Sequence, residues 1–193
     1  MFKSFFEKLK AFAHIVAVVA VGAVMGEKVR ARGIYWAECY GPDGALKWRE
    51  SFPNTVVTVG KNYLLDNGMA GSAYTAAFYL GLISSTSYSA ISASDTMSSH
   101  AGWLEAGAAN TPAYSQSTRP AAAWAAASGG SKALSAALSY SITSAGTIKG
   151  AFMTTNSTKD GTTGTLFSAG LFTGGDKTVA NGDTVNVSYS LSL

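Results

Sequence analysis

The stretches LSAALSYSI (residues 134–142) and VNVSYSLS (residues 185–192) alternate apolar with small side chains. A period of two places successive side chains on opposite faces of an extended chain. In the first stretch the apolar set ends with Tyr140 and Ile142, and in the second it comprises Val185, Val187, Tyr189 and Leu191. Both stretches therefore predict β-strands with one face in a core and one Ser-rich face outside it.

A β-hairpin is predicted nearer the N-terminus. Gly33–Tyr40 and Ala45–Ser51 flank the sequence Gly41-Pro42-Asp43-Gly44. Proline presets φ for a turn, and glycine accepts the positive φ that tight turns require. The two flanking segments are therefore expected to pair as antiparallel strands.

The remaining segments extend this pattern and add one short helix. Further strands, complete or partial, are predicted at Thr55–Val59, Tyr74–Ser84, Tyr114–Trp124, Thr147–Thr154 and Thr165–Phe172. Lys61–Asn67, which Gly68 follows, is predicted to be a helix with Leu64 and Leu65 facing inward. About seven to nine short strands separated by turns indicate an all-β, antiparallel β-sandwich or jelly-roll-like domain over residues 33–193.

Composition excludes several classes of protein. The chain has 193 residues, of which 13% are charged, against about 25% in a typical soluble domain. Residues 51–193 carry six cationic and six anionic side chains, so clustered Lys and Arg of the kind that binds nucleic acid are missing there. The single cysteine, Cys39, cannot form an intrachain disulfide and is predicted to be a small core residue. Two histidines are too few for most zinc sites, and we expect no metal or cofactor.

Ser and Thr, rather than Lys and Glu, form the polar faces of the predicted strands. Edge strands without charges are poorly guarded against pairing with other chains. An obligate assembly covers such edges with neighbouring subunits, which favours a homo-oligomer or a component of a particle. A solvated extracellular monomer is the alternative.

Residues 1–32 form a basic and apolar N-terminal arm ahead of the β-domain. Apolar residues recur there at three- and four-residue steps, which predicts a helix with one apolar stripe. The stripe consists of Phe2, Phe5, Phe6, Leu9, Phe12, Val16, Val19 and Ala23. We expect this helix to dock on a neighbouring subunit. A membrane or signal segment, and packing on its own domain, are the alternatives.

Two groups of residues have the chemistry of an active site without its pattern. Asp95, Ser98 and His100 are the residue types of a hydrolase triad, but no G-x-S-x-G elbow surrounds any serine. Asp95 and Glu105 could suggest glycoside hydrolysis, but the acids of the chain do not cluster. We therefore predict a protein that is not an enzyme.

A long excursion, Ser85–Pro112, and the segment after it contain candidate contact residues. These are Trp103, Tyr114, Arg119 and Trp124, which stand among small residues. Trp and Arg are enriched at the energetic centres of protein interfaces. The alternative is that the aromatic residues fill the core and that Arg119 is stacked or paired at its rim.

Residues 33–193 resemble small virion proteins of tailed bacteriophages and prophages in their general pattern. The residues that carry the resemblance are Gly44–Glu50, Asn54–Val57, Tyr63–Asp66, Gly71–Tyr74, Tyr79–Ile83, Trp103–Arg119, Gly150–Phe152, Thr154–Thr158 and Gly182–Thr184. Such proteins are β-rich structural components, so the resemblance brings no catalytic residues. Residues 1–32 fall outside it.

The resemblance and the composition together predict a non-enzymatic virion protein. We expect capsid decoration or cementing, in which edge strands and the N-terminal arm bind the major capsid protein or other virion subunits. Two alternatives stay open. One is a head–tail, tail or fibre component that contacts host glycans through aromatics such as Trp103 and Trp124. The other is a membrane-anchored or secreted bacterial β-domain.

Overall fold

The structure is a computed structural model that describes residues 30–69 and 77–193. These residues contain ten strands and one helix. In chain order they are β1 (Arg32–Tyr40), β2 (Leu46–Val56), α1 (Thr58–Met69), β3 (Tyr79–Ser84), β4 (Glu105–Ala106), β5 (Ser131–Ala133), β6 (Leu138–Ser141), β7 (Gly146–Thr154), β8 (Leu166–Leu171), β9 (Lys177–Val179) and β10 (Thr184–Ser192). The predicted N-terminal arm lies outside the described residues except for its last three.

All strand pairs are antiparallel, and the strands form one sheet that does not close on itself. The order is β4-β3-β7-β8-β2-β1-β10-β5, with β6 paired to β10 and β9 paired to β7. The predicted β-rich class, antiparallel pairing and single short helix are therefore confirmed. The predicted hairpin is present as β1–β2, and the predicted strands Thr147–Thr154 and Thr165–Phe172 pair with each other as β7–β8.

The core lies between two groups of strands joined through β2. Up to Pro53, β2 pairs with β1, and its last three residues pair with β8. The Tyr35 hydroxyl on β1 lies 2.9 Å from Ser168 Oγ on β8, and Tyr140 on β6 donates to the Leu80 carbonyl of β3 at 2.9 Å. These bonds connect one group, containing β1, β6 and β10, to the other, containing β3, β7 and β8. Both groups contribute buried side chains to the same cluster.

The alternation predicted for the last strand is present in β10, where Val185, Val187 and Tyr189 are buried. The opposite side of β10, β1, β2 and β6 faces away from the core. We call this surface the outer face. Its residues are Arg32, Ile34, Trp36, Glu38, Tyr40, Leu46, Arg49, Ser51, Pro53, Ser139, Ser141, Thr184, Asn186, Ser188, Ser190 and Ser192.

The stretch LSAALSYSI does not form the single strand that its alternation predicts. It is divided between Leu134, which bridges to Trp124, and β6, and the residues between them bulge away from β10. The Ser135 N–H donates instead to the Ala123 carbonyl. Alanine packs equally well in or out of a core, so Ala136 and Ala137 do not specify a face, and both are exposed.

Helix α1 begins at Thr58, earlier than the predicted Lys61, and includes Gly68, the predicted stop. Leu64 packs against the core as expected, whereas Leu65 is 57% exposed, so its predicted inward orientation is wrong. Neighbouring residues on a helix point about 100° apart, and one narrow contact cannot bury both.

Tertiary context also changes other predicted strands. Strand β3 occupies only Tyr79–Ser84 of the predicted Tyr74–Ser84, and residues 70–76 lie outside the described part. The predicted strand Tyr114–Trp124 is reduced to isolated bridges at Tyr114, Ala121 and Trp124. Pro120 falls inside this stretch, and a proline cannot donate to a sheet ladder.

The sheet ends are short. Strand β4 has two residues and β5 has three, and both residues of β4 are buried. Short edges are themselves a protection against pairing with other chains. The outer edge of β5 already bonds to residues 125–128. The prediction that edge strands bind a partner therefore rests on few free backbone groups and on the exposed side chains of β5.

Glu50 on β2 forms an ion pair with the first residue of β9 and accepts hydrogen bonds from the turn after β8. Glu50 Oε2 lies 2.7 Å from Lys177 Nζ, and Glu50 Oε1 accepts hydrogen bonds from Thr173 Oγ1 at 2.7 Å and from the Gly174 N–H at 2.5 Å. Burial alone would raise the pKa of Glu50. The hydrogen bonds and the Lys177 charge outweigh burial and lower this pKa to about 2.

We expect these contacts to make stability depend on pH below about 4.5. Because the folded-state pKa of Glu50 is lowered, its contribution is complete above the unfolded value of 4.5 and is lost as pH falls toward 2. Replacing Glu50 with Gln should remove about 2 to 3 kcal/mol of this pH dependence. Urea unfolding at a series of pH values measures it. Asp43→Asn, the same charge change in an exposed turn, should leave the dependence intact; an equal flattening in both variants would contradict the assignment.

Candidate functional site

The long excursion after β3 folds back over the sheet face that is opposite the main core. Trp103 is fully buried there against Phe152 of β7, in a second cluster that also contains Met97 and Ile83. The predicted long excursion is confirmed. The segment contains turns, a bridge between Thr96 and Ser99, and the short strand β4.

Trp103 organises the polar residues of the excursion. Its Nε1–H donates to Asp95 Oδ2 at 2.9 Å, and the same oxygen accepts the Ser92 N–H at 2.9 Å. The His100 ring stacks on Trp103 with centroids 4.0 Å apart, and His100 Nδ1 lies 3.0 Å from the Trp103 carbonyl oxygen. Asp95 and His100 thus each bond to Trp103 and not to each other. This arrangement holds the excursion in place and does not have the geometry of a hydrolase triad.

A buried ion pair joins the end of the excursion to the following segment. Arg119 Nε and NH2 donate to Glu105 Oε1 and Oε2 at 2.9 and 2.7 Å, a bidentate arrangement in which both side chains are almost fully buried. Arg119 also donates to the carbonyls of Asn156 and Gly161 at 2.9 and 3.1 Å. These contacts join three chain segments at one guanidinium, namely β4, the segment that contains Arg119 and the β7–β8 loop.

The Glu105 carboxylate is held from a third side by the Asp160 N–H, which donates to Oε2 at 2.7 Å. Asp160 itself adopts a positive φ of 56°, and its Oδ2 accepts the N–H groups of Ala108 and Ala109. Burial raises the pKa of Glu105, while the Arg119 charge and the Asp160 N–H act in the opposite direction. The carboxylate is therefore directed to structural partners and is poorly placed to act as a free base.

A cavity of about 190 Å³ lies beside this ion pair. Its lining includes His100, Trp103, Arg119, Phe152 and Asp160. That volume is below the roughly 300 Å³ at which pockets for drug-sized ligands begin. The polar groups of Glu105 and Arg119 next to it already bond to each other and to the main chain, so the arrangement supports packing more than binding or proton transfer.

The predicted contact residues are placed mainly in the interior. Trp103, Arg119 and Tyr114 are 0%, 1% and 3% exposed, and Trp124 is partly buried against the core. Their contact with a partner stays a prediction, and burial favours the alternative of core and ion-pair roles for the first three. The arm residues Phe2, Phe5, Phe6, Leu9, Phe12 and Val16 lie outside the described residues.

A second buried polar group lies near the β1–β2 hairpin. Asp183 Oδ2 accepts hydrogen bonds from Lys47 Nζ at 2.5 Å and from the Ala180 N–H at 2.8 Å. Burial and the neighbouring Asp183 carboxylate raise the pKa of Cys39 to about 12, and its Sγ lies 3.7 Å from Asp183 Oδ2. Cys39 is fully buried, which confirms it as a core residue.

Sequence reasoning did not single out the exposed apolar residues of the outer face. Ile34 and Trp36 are 42% and 41% exposed, at alternate positions to the buried Tyr35 and Ala37. The available signal was the alternation of β1 itself, in which both faces carry large apolar side chains. A strand with this composition cannot reveal which of the two faces is the core.

The comparisons with known proteins add no relative. No family model, curated protein or solved structure matches this chain. Within residues 30–69 and 77–193, no three His, Cys, Asp or Glu side chains are grouped so that they could hold a metal ion. Over the same residues, no helix has the length and hydropathy of a membrane span.

Proposed function

We propose that this chain is a non-enzymatic structural protein of a bacteriophage virion, a capsid decoration or cement protein. The observation that carries the proposal is that the ionisable side chains of the excursion and of the segment after it are bonded to other groups of the domain. Asp95, His100, Glu105 and Arg119 all bond to Trp103, to each other or to the main chain. Side chains that are bonded in this way stabilise the folded domain, and a structural component requires such stability.

We also propose that the sheet is a β-sandwich of the jelly-roll kind. The shared core, and the hydrogen bonds that cross it from Tyr35 and Tyr140, support this architecture. Sandwiches of this type expose two broad faces and several loops, and they can be repeated around a symmetric shell without a catalytic centre.

In this proposal the protein binds the major capsid protein or other virion subunits through its N-terminal arm and the exposed strand β5, as one of many copies. The arm would supply most of the buried apolar area, because β5 offers only three residues. A standard interface of roughly 1,600 Å² in total would hold each copy, and many symmetric copies would add avidity. We expect no specific contact with nucleic acid.

Mass spectrometry of purified particles from the host that encodes the chain tests the proposal. Hundreds of copies per particle support shell decoration. Copies in small multiples would place the protein at the head–tail region, tail or fibre. Absence from particles, with recovery in a membrane or secreted fraction, would overturn the proposal in favour of a bacterial β-domain.

The arm can be tested within the full chain. We expect the pair Phe5→Asp and Phe12→Asp to abolish incorporation into particles, since charges on the apolar stripe prevent its burial. Lys8→Asp, which introduces the same residue off the stripe, is the matched control and should be incorporated. Equal incorporation of both variants would show that the arm is not the attachment element.

A further inference from the structure

The centre of the outer face carries an exposed tryptophan surrounded by small hydroxyl groups. Trp36 lies in the middle of β1, and the residues opposite it on the two neighbouring strands are Ser51 and Ser188. These side chains are too short to cover the indole, which is 41% exposed. The indole N–H donates to no described residue, so it is available to a ligand.

The outer face carries few charges, and those beside Trp36 compensate each other. Arg49 lies 3.5 Å from Glu38, and Glu38 also accepts a hydrogen bond from the Tyr40 hydroxyl at 2.5 Å. A single further cation, Arg32, lies at the end of β1 opposite Ser192, and the other side chains of the face are uncharged. A polyanion such as nucleic acid would find no cluster of cations here, so the face is complementary to a neutral ligand.

The strand order excludes one class of neutral partner. Along the outer face, β1 is paired on both sides, with β2 and with β10. An extended peptide adds to a sheet by bonding to free backbone groups at an edge, and the middle of this sheet has none to offer. A bound molecule must therefore be recognised by side chains alone.

The size of the outer face argues against a second copy of the chain. The four strands β2, β1, β10 and β6 are spaced about 4.8 Å apart and the longer ones run about 30 Å along this face, so together they cover at most roughly 600 Å². A stable interface uses about 800 Å² and 20 to 30 residues from each partner. The outer face falls short of both values, and short Ser side chains provide little apolar area.

We propose that the outer face binds a neutral oligosaccharide, with Trp36 as the platform on which a sugar ring stacks. One side of a hexose ring presents C–H groups that pack on an indole, and its hydroxyls bond to short polar side chains. Ser51 and Ser188 flank the ring, and the carboxylate oxygens of Glu38 accept hydrogen bonds from sugar hydroxyls. This binding is separate from the proposed attachment to the virion, which uses the arm and β5.

Titration of the full chain with neutral trisaccharides of glucose, galactose and N-acetylglucosamine tests this inference by NMR and calorimetry. We expect at least one of them to bind with a Kd on the order of 1 mM, as is usual for an open site that buries little area. Trp36→Ala should weaken that binding about tenfold or more. Leu65→Ala, a change at an exposed apolar residue of α1, should leave it unchanged.

Three results would overturn the inference. The first is that no probe binds at a concentration about ten times the expected Kd. The second is that a probe binds but Trp36→Ala does not weaken its binding. The third is that the chain self-associates and Trp36→Ala abolishes the self-association. The last result would assign the face to a second copy. Particle incorporation of Trp36→Ala is measured in parallel and should equal that of the unchanged chain, so failure of the saccharide site and failure of the virion role are distinguished.

Discussion

Replacing Arg119 with alanine is expected to lower the free energy of unfolding by about 3 to 5 kcal/mol. The substitution leaves the Glu105 carboxylate buried without its cation and removes the donors that hold the carbonyls of Asn156 and Gly161. A buried charge without a partner costs several kcal/mol because it has lost its hydration. Equilibrium urea unfolding, followed by circular dichroism, measures the change.

A surface pair provides the matched control. Arg49 and Glu38 form an ion pair whose side chains are 66% and 36% exposed, so Arg49→Ala should cost less than about 1 kcal/mol. The double variant Glu105→Ala, Arg119→Ala should cost less than the sum of the two single changes, because it leaves no unpaired charge. An unchanged melting temperature for Arg119→Ala, together with lost incorporation into particles, would show instead that Arg119 acts as a contact residue.

Replacing Trp103 with alanine is expected to cost a similar amount, about 3 to 5 kcal/mol. The change empties the centre of the second core cluster. It also removes the indole N–H that donates to Asp95 and the ring on which His100 stacks. Amide hydrogen exchange should increase first in residues 85–104, since these depend on Trp103 for their packing.

Trp36→Ala is the natural control for this prediction, because the same atoms are removed from a half-exposed site. It should cost about 1 kcal/mol and should leave exchange in the excursion unchanged. If Trp103→Ala unfolds at the same urea concentration as the unchanged chain, then the second cluster does not stabilise the domain and the excursion is an independent flap.

Local pattern predicted the strands whose two faces differ in composition. In β10 one side is Val, Val, Tyr and the other Asn, Ser, Ser, and this contrast fixes the buried side without other information. In β1 both sides carry large apolar residues, so the assignment of its faces needed the neighbouring strands. In residues 134–142 the alanines match either face, and the single predicted strand is divided.

The residues of the candidate site stand out in the sequence, but the sequence does not predict their role. Trp103, Glu105 and Arg119 are large or charged side chains among small ones. Whether such a residue is buried or exposed depends on contacts between segments far apart in sequence. Arg119 binds main-chain carbonyls 37 and 42 residues away, and no local pattern contains that information.

The antiparallel pairing of β1 with β10 sets Arg32 directly opposite Ser192. The start of β1 is therefore adjacent to the end of β10. In a variant that begins at residue 32, a short artificial linker could join the two and allow circular permutation, with new termini in the exposed turn at Gly129 and Gly130. A reporter fused after Leu193 would likewise emerge beside residue 32 and would report on that side of the domain.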